Sequence, residues 1–242
     1  LIISQKLSRE ALMGPPTVSS SVILASAQAR AEAKAQLLLR LRAQGYADLP
    51  LLRALESAPR ENFVGPAYID LALRDVAVPL AFGQTMEAPS ALARMIAALA
   101  PRPDSRILEI GAGSGYSAKA LSLLGREVVS LDCFERLAQE ARARLERLGA
   151  RNVAVVWADG FEISPSLGLF DRILVHGALE EVPPNLSGAL GEGGVLVAPR
   201  RAAGGGACEL IRQTRAGGEG VRTEVLGPWR AQNLLRGLFP NH

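Results

Sequence analysis

The sequence predicts a doubly wound α/β sheet of parallel strands, with an antiparallel hairpin at its C-terminal edge and a helical cap at its N-terminus. Three observations lead there. Residues 106–117, Arg-Ile-Leu-Glu-Ile-Gly-Ala-Gly-Ser-Gly-Tyr-Ser, read as a short strand, a glycine loop and a helix start. Ile107, Leu108 and Ile110 suit a parallel strand buried on both faces, and Gly111, Gly113 and Gly115 let the backbone turn with no side chain blocking a ligand. Successive apolar stretches then deliver acids to one sheet edge: Glu109 in the first, Asp132 after Val128 to Leu131, and Asp159 after Val153 to Ala158. Last, Ala207 to Thr214 and Val221 to Leu226 are strand-like runs separated by Arg-Ala-Gly-Gly-Glu-Gly, the pattern of a hairpin.

The elements follow in order. Residues 1–25, with Pro15, Pro16 and Ser19 to Ser21, lack sustained periodicity and read as an N-terminal extension. Ser26 is placed to cap a helix from Ala27 to Gln44, ending near Gly45, with Leu37, Leu38 and Leu41 on one side. Asp48 is placed to cap a second helix, Leu51 to Ser57, stopped by Pro59. Residues 59–90 contain little that favours regular structure. A loop-rich segment of that length in a compact domain is usually functional, and this one precedes a helix from Pro89 to Ala100, so it is expected to lie over the glycine loop. Pro89 suits the first turn of that helix, and Leu92, Met95, Ile96 and Leu99 its core face.

Beyond the third strand, Phe170 to Val175 reads as a fourth, with His176-Gly177 at its end. Val182 to Leu190 reads as a helix, Gly191 to Gly194 as a turn into a strand from Val195 to Ala198, and Gly204 to Gly206 as a break. The implied division is an extension (1–25), a helical cap with a loop for the second substrate (26–100) and a ligand-binding domain (101–242).

Composition narrows the function classes. At 242 residues, 48% of them hydrophobic, the chain can bury the core of one α/β domain with additions. Its 27 basic residues against 24 acidic ones are spread along the chain, and only three are lysines, which argues against a nucleic-acid partner. Cys133 and Cys208 are far apart and lack metal-ligand spacing, so no metal site and cytoplasmic thiols are expected. No apolar run reaches membrane-spanning length, and no leader pattern opens the sequence, so neither membrane insertion nor secretion is expected.

A glycine loop of this kind can hold a dinucleotide, a triphosphate or S-adenosylmethionine. The spacing G-A-G-S-G does not match G-x-G-x-x-G, and no Lys-Ser/Thr pair follows, which removes the first two. Asp132, nineteen residues after Gly113, stands where a carboxylate accepts both ribose hydroxyls. The three-strand constellation Glu109, Asp132, Asp159 resembles the Rossmann-like sheet of class I S-adenosylmethionine-dependent methyltransferases. The expected cofactor-binding residues are Glu109, Gly111, Gly113, Gly115, Tyr116, Asp132, Cys133, Asp159 and Gly160. Asp159-Gly160 can equally be a turn, and Tyr116 can equally pack beneath its helix.

Over roughly residues 35–215 the chain also resembles the protein-L-isoaspartate O-methyltransferase family. The resemblance rests on Pro-Arg-Glu-Asn-Phe-Val (59–64), Gly-Gln-Thr (83–85) with Pro89, Leu-Glu-Ile-Gly-Ala-Gly-Ser-Gly-Tyr (108–116), Asn152-Val153, Asp159-Gly160, Phe170-Asp171 and Gly193-Gly194 leading into Val195 to Pro199. It implies carboxyl methylation of isoaspartyl residues in damaged proteins, with Gly83, Gln84, Thr85 and Pro89 at the acceptor site. Two positions depart from the family. Glu87 stands where the family offers a serine hydroxyl to the acceptor carboxylate, and His176 stands where the family has an apolar or small residue. Both are the expected catalytic residues, His176 as a general base; the alternatives are a solvent-facing Glu at a helix start and a structural His. Two carboxylates about 4 Å apart at an effective dielectric near 20 repel by about 4 kcal/mol, so weak isoaspartyl methylation is expected. Three readings stay open: isoaspartyl methylation of a protein or peptide, methylation of another acceptor such as a small molecule, and cofactor binding without catalysis. Asp75 has no partner identifiable from sequence, and Trp229 and Arg230 serve either the acceptor or the core.

Overall fold

The computed structural model describes residues 20–202, 207–217 and 220–241. Helices α1 (Ser20–Ala43) and α2 (Leu49–Ser57) come first. The first helix starts six residues before the expected Ser26 cap, because nothing between Ser20 and Gly45 is Pro or Gly to break it. The rest of the expected extension, and the Gly204 to Gly206 break, lie outside the described residues. Asp48 caps α2 as its sequence position predicts, its Oδ1 accepting from the Leu51 amide at 2.7 Å.

Residues 59–88 carry only 3₁₀ turns and two two-residue strands, β1 (Val78–Pro79) and β2 (Thr85–Met86), paired antiparallel. Helix α3 (Pro89–Leu99) buries Leu92, Met95, Ile96 and Leu99. The main sheet then takes β3 (Arg106–Ile110), α4 (Tyr116–Ser122), β4 (Glu127–Asp132), α5 (Glu135–Arg147), β5 (Val153–Trp157), β6 (Phe170–Val175), α6 (Pro184–Gly188), β7 (Leu190–Arg201), β8 (Cys208–Ala216) and β9 (Gly220–Trp229). Helix α6 is shorter than the expected 182–190 because the adjacent Pro183 and Pro184 fix its start.

The strand order is β5-β4-β3-β6-β7-β8-β9, parallel through β7 and antiparallel beyond. Adjacent residues serve opposite faces. Ile107, Val128 and Leu174 pack with α2–α5, while Leu108, Val129 and Ile173 pack with α6 and the segments flanking it. The winding direction reverses between β3 and β6, and a crevice opens beyond their carboxyl ends.

Candidate active site

The crevice is lined from three directions. From the sheet come Gly111 and Gly113 after β3, Asp132 and Cys133 after β4, Gly160 after β5 and His176 after β6. From the segment before α3 come Leu80, Gln84, Thr85 and Glu87. The chain's end supplies the third wall, with Arg230, Gln232, Leu234 and Leu235 among its residues.

The glycine loop turns through positive φ at Gly111 (95°), Gly113 (54°) and Gly115 (88°), conformations that favour glycine. Asp132 holds this loop: its Oδ2 accepts from the Gly113 amide at 2.7 Å and its Oδ1 from the Phe134 amide at 2.9 Å. Burial raises its carboxyl above the ordinary range, against the lowering effect of those two amides. Burial and the neighbouring Asp132 push the Cys133 thiol up to about 11.

Glu109 and Asp159 face elsewhere. Glu109 is fully buried, with Oε2 accepting from Ser130 Oγ at 2.5 Å and Oε1 from His176 Nε2 at 3.0 Å. Asp159 accepts from the Phe161 amide at 2.8 Å and from the Gly237 amide at 2.6 Å. Both carboxylates are thus engaged by the chain itself. Tyr116 packs beneath its helix, 5.8 Å from the Phe63 ring, and touches only a smaller side cavity; burial pushes its phenol up to about 12. Gly83, Pro89 and Gly115 shape the backbone and do not line the crevice. Pro89 is buried at the first turn of α3, and Asp75 caps that turn by accepting from the Ser90 amide at 2.8 Å.

Glu87 and His176, 89 residues apart, form one ion pair: Nδ1 donates to Glu87 Oε1 at 2.8 Å. A neutral imidazole has a single N–H, and here each ring nitrogen faces a carboxylate oxygen, so the ring is satisfied only as imidazolium. Burial works against that charge, but Glu87 and Glu109 prevail and push His176 up to about 10. Burial likewise opposes the Glu87 charge, yet His176 holds its carboxyl below the ordinary range. With each ring nitrogen facing a carboxylate, and the ring's proton kept to about pH 10, His176 offers no free lone pair near neutrality, which speaks against a general base. The geometry removes the bare repulsion expected of Glu87, whose charge the imidazolium offsets.

Arg60 fixes the segment that carries Glu87. The residue is 2% exposed. Its Nη1 donates to the carbonyls of Leu71, Ala72 and Arg74 and its Nη2 to those of Val76 and Glu87, all between 2.8 and 3.3 Å. The tail is fixed as closely. Gln232 donates to the Gly83 carbonyl at 2.6 Å, Phe134 stacks between Phe82 and Phe239, and the Leu234 backbone passes so near Gly177 that a Cβ there would lie 2.6 Å from its Cα. Trp229 lies under Arg94 on β9, while Arg230 lines the crevice. No pattern in the tail sequence marks it as a wall of the site. For Arg60 the quoted Pro-Arg-Glu-Asn-Phe-Val stretch was the available signal.

The model of the family described as protein-L-isoaspartate(D-aspartate) O-methyltransferase matches residues 32–224. A protein-L-isoaspartate O-methyltransferase of Rhodopseudomonas palustris strain BisA53 is 48% identical over 161 residues, which is 66% of this chain and 75% of that one. Another from strain BisB5 is 44% identical over 188 residues, 78% of this chain and 86% of that one. Among solved structures, a protein-L-isoaspartate O-methyltransferase superposes with a TM-score of 0.76 at 25% identity, covering 85% of this chain and 67% of that one. A Plasmodium falciparum protein in complex with S-adenosyl-L-homocysteine shares the fold, with a TM-score of 0.72 at 22% identity, covering 83% of this chain and 97% of that one.

Proposed function

This chain belongs to the protein-L-isoaspartate(D-aspartate) O-methyltransferase family, and from that premise we propose that it methylates the free carboxylate of isoaspartyl residues in proteins and peptides. The observation that carries the reading is the meeting, in one crevice, of the glycine loop and Asp132 with Gln84, Thr85 and the Glu87–His176 pair.

S-adenosylmethionine fits the residues present. The glycine loop is a cradle that side chains would fill, since a Cβ on Gly111 would lie 3.3 Å from His176 Cβ and one on Gly113 3.2 Å from Leu80. Asp132 keeps acceptor capacity beyond its two amide bonds, the capacity that ribose hydroxyls require. When bound, the cofactor supplies a methyl group made electrophilic by its sulfonium. An acceptor carboxylate is ionised at neutral pH and needs no base, which agrees with an imidazolium that has no lone pair to offer. The protein's contribution is therefore alignment: the loop and Asp132 fix one reactant, and the segment clamped by Arg60 fixes the other against it.

The test is transfer of labelled methyl from S-adenosylmethionine to an isoaspartyl peptide beside its normal aspartyl control. Label should enter the isoaspartyl peptide alone, as a base-labile ester. Equal labelling of both peptides, or of neither, refutes the reading. The second reading, a different acceptor, is favoured by Glu87 in place of a hydroxyl, and label on a small amine or alcohol but not on the peptide would select it.

A further inference from the structure

Glu87 and His176, the two positions read from the sequence as departures from the family pattern, touch each other. The ring is anchored from below. Glu109 is fully buried, already bonded to Ser130, and has no room to turn, whereas Glu87 above the ring is 25% exposed and borders open space. The bond from Nδ1 to Glu87 is thus the exchangeable one of the two.

Glu87 also has somewhere to go. Beside the crevice lies a smaller cavity of about 30 Å³, bordered by Glu87 and His176 and also by Met86, Ser114, Tyr116 and Ser117. Among the described residues Ser117 Oγ, buried there, has no hydrogen-bond partner. Buried hydroxyls are nearly always paired, and a cavity of that size has room for a water or for the end of a side chain.

We propose that His176 is the group that receives the acceptor's carboxylate, and that Glu87 holds this place until the acceptor arrives and then turns into the side cavity toward Ser117. This rests on the isoaspartyl reading and deepens it by naming the specificity-determining pair. On Nδ1 one carboxylate replaces another, while the site as a whole gains the acceptor's negative charge and Glu87 exchanges its cation for the Ser117 hydroxyl. The exchange turns a substitution that would repel an anionic acceptor into one that competes with it. The groups around the ring agree: Glu109 is spent on the opposite nitrogen, Asp132 on the glycine loop, and the Arg60 guanidinium on main-chain carbonyls.

The experiment measures steady-state methylation of an isoaspartyl peptide, and peptide binding in the presence of S-adenosylhomocysteine, for wild type, Glu87→Ser, His176→Gln and the double variant. Removing the competitor in Glu87→Ser should lower the peptide KM about tenfold and leave S-adenosylhomocysteine affinity within about twofold. His176→Gln should raise the peptide KM, and Glu87→Ser should gain nothing in that background, because its benefit acts through the ring. Should His176→Gln fail to fold, nitrogen NMR of the His176 ring in Glu87→Ser decides: its Nδ1 resonance should shift on peptide binding, and an unmoved resonance overturns the proposal. A peptide KM that is unchanged or raised in Glu87→Ser, with transfer intact, overturns the placeholder while leaving the isoaspartyl reading standing. An equal gain with and without His176 also overturns it. Neither binding nor transfer in any form overturns the isoaspartyl reading, and the proposal with it.

Discussion

The glycine loop and the segment opposite it build the same crevice by different physics. From Arg106 to Asp132 the chain is held by a repeating backbone ladder, which pairs Arg106 with Glu127 and Ile107 with Arg172, and by φ values that glycine adopts freely. From Pro59 to Glu87 it has almost no ladder, and its shape comes from one buried guanidinium donating to five carbonyls up to 27 residues away. A repeating backbone ladder built the first wall, and one buried side chain, with a few single contacts, built the second. The first should therefore fail piecemeal and the second all at once.

The sharpest way to break that contrast is Arg60→Met. It leaves five carbonyls without their donor, and we expect a loss of about 3 to 5 kcal/mol, as when one partner of a buried charged network is removed. Denaturant unfolding measures it, and a loss below about 1 kcal/mol would show that the segment holds itself. On the other wall, Asp132→Ala should weaken S-adenosylhomocysteine binding by about 1.5 to 3 kcal/mol in calorimetry and leave residues 59–88 protected from exchange. Simultaneous loss of that protection would mean the two walls are one unit.

Gly177→Ala probes the third wall. Its methyl would collide with the Leu234 backbone, costing about 1 to 3 kcal/mol and exposing residues 230–241 to protease. Unaltered cleavage there would show that the tail yields without leaving. A reversible probe is pH. His176 is ordinarily near 6.5 and is pushed up to about 10 in the fold, so its stabilisation is complete below 6.5 and is lost as pH rises through 10. Unfolding free energy should fall across that window by at most about 1.4 kcal/mol per pH unit from this group. The same slope in His176→Gln would assign it to other groups.

What the sequence made legible divides along the same line. Ile107, Leu108 and Ile110 announced β3, Asp48 announced its helix, and Pro89 announced α3, since each signal and its effect lie within one turn or strand. Glu109 sits on its strand as expected, but its partner His176 lies 67 residues on, so the bond that the buried carboxylate makes to that ring had no local signal. The Asp159 bond to the tail's Gly237 had none either. Gln232 and Leu234 had no periodicity to announce them, because the tail is held by single contacts rather than a repeating face. The adjacent Pro183 and Pro184 cut α6 short, a signal that was readable and outweighed by the apolar run around it.

The Arg60 clamp bears on how such a site changes over generations. It grips main-chain oxygens, which every residue possesses, and so sets the path of Leu71 to Glu87 while constraining few of the side chains along it. Exposed positions in that stretch can change at little cost to folding, whereas Ala72, Val78 and Met86 are buried and answer to the core. At position 87 a glutamate sits on this scaffold with His176 supplying the opposite charge.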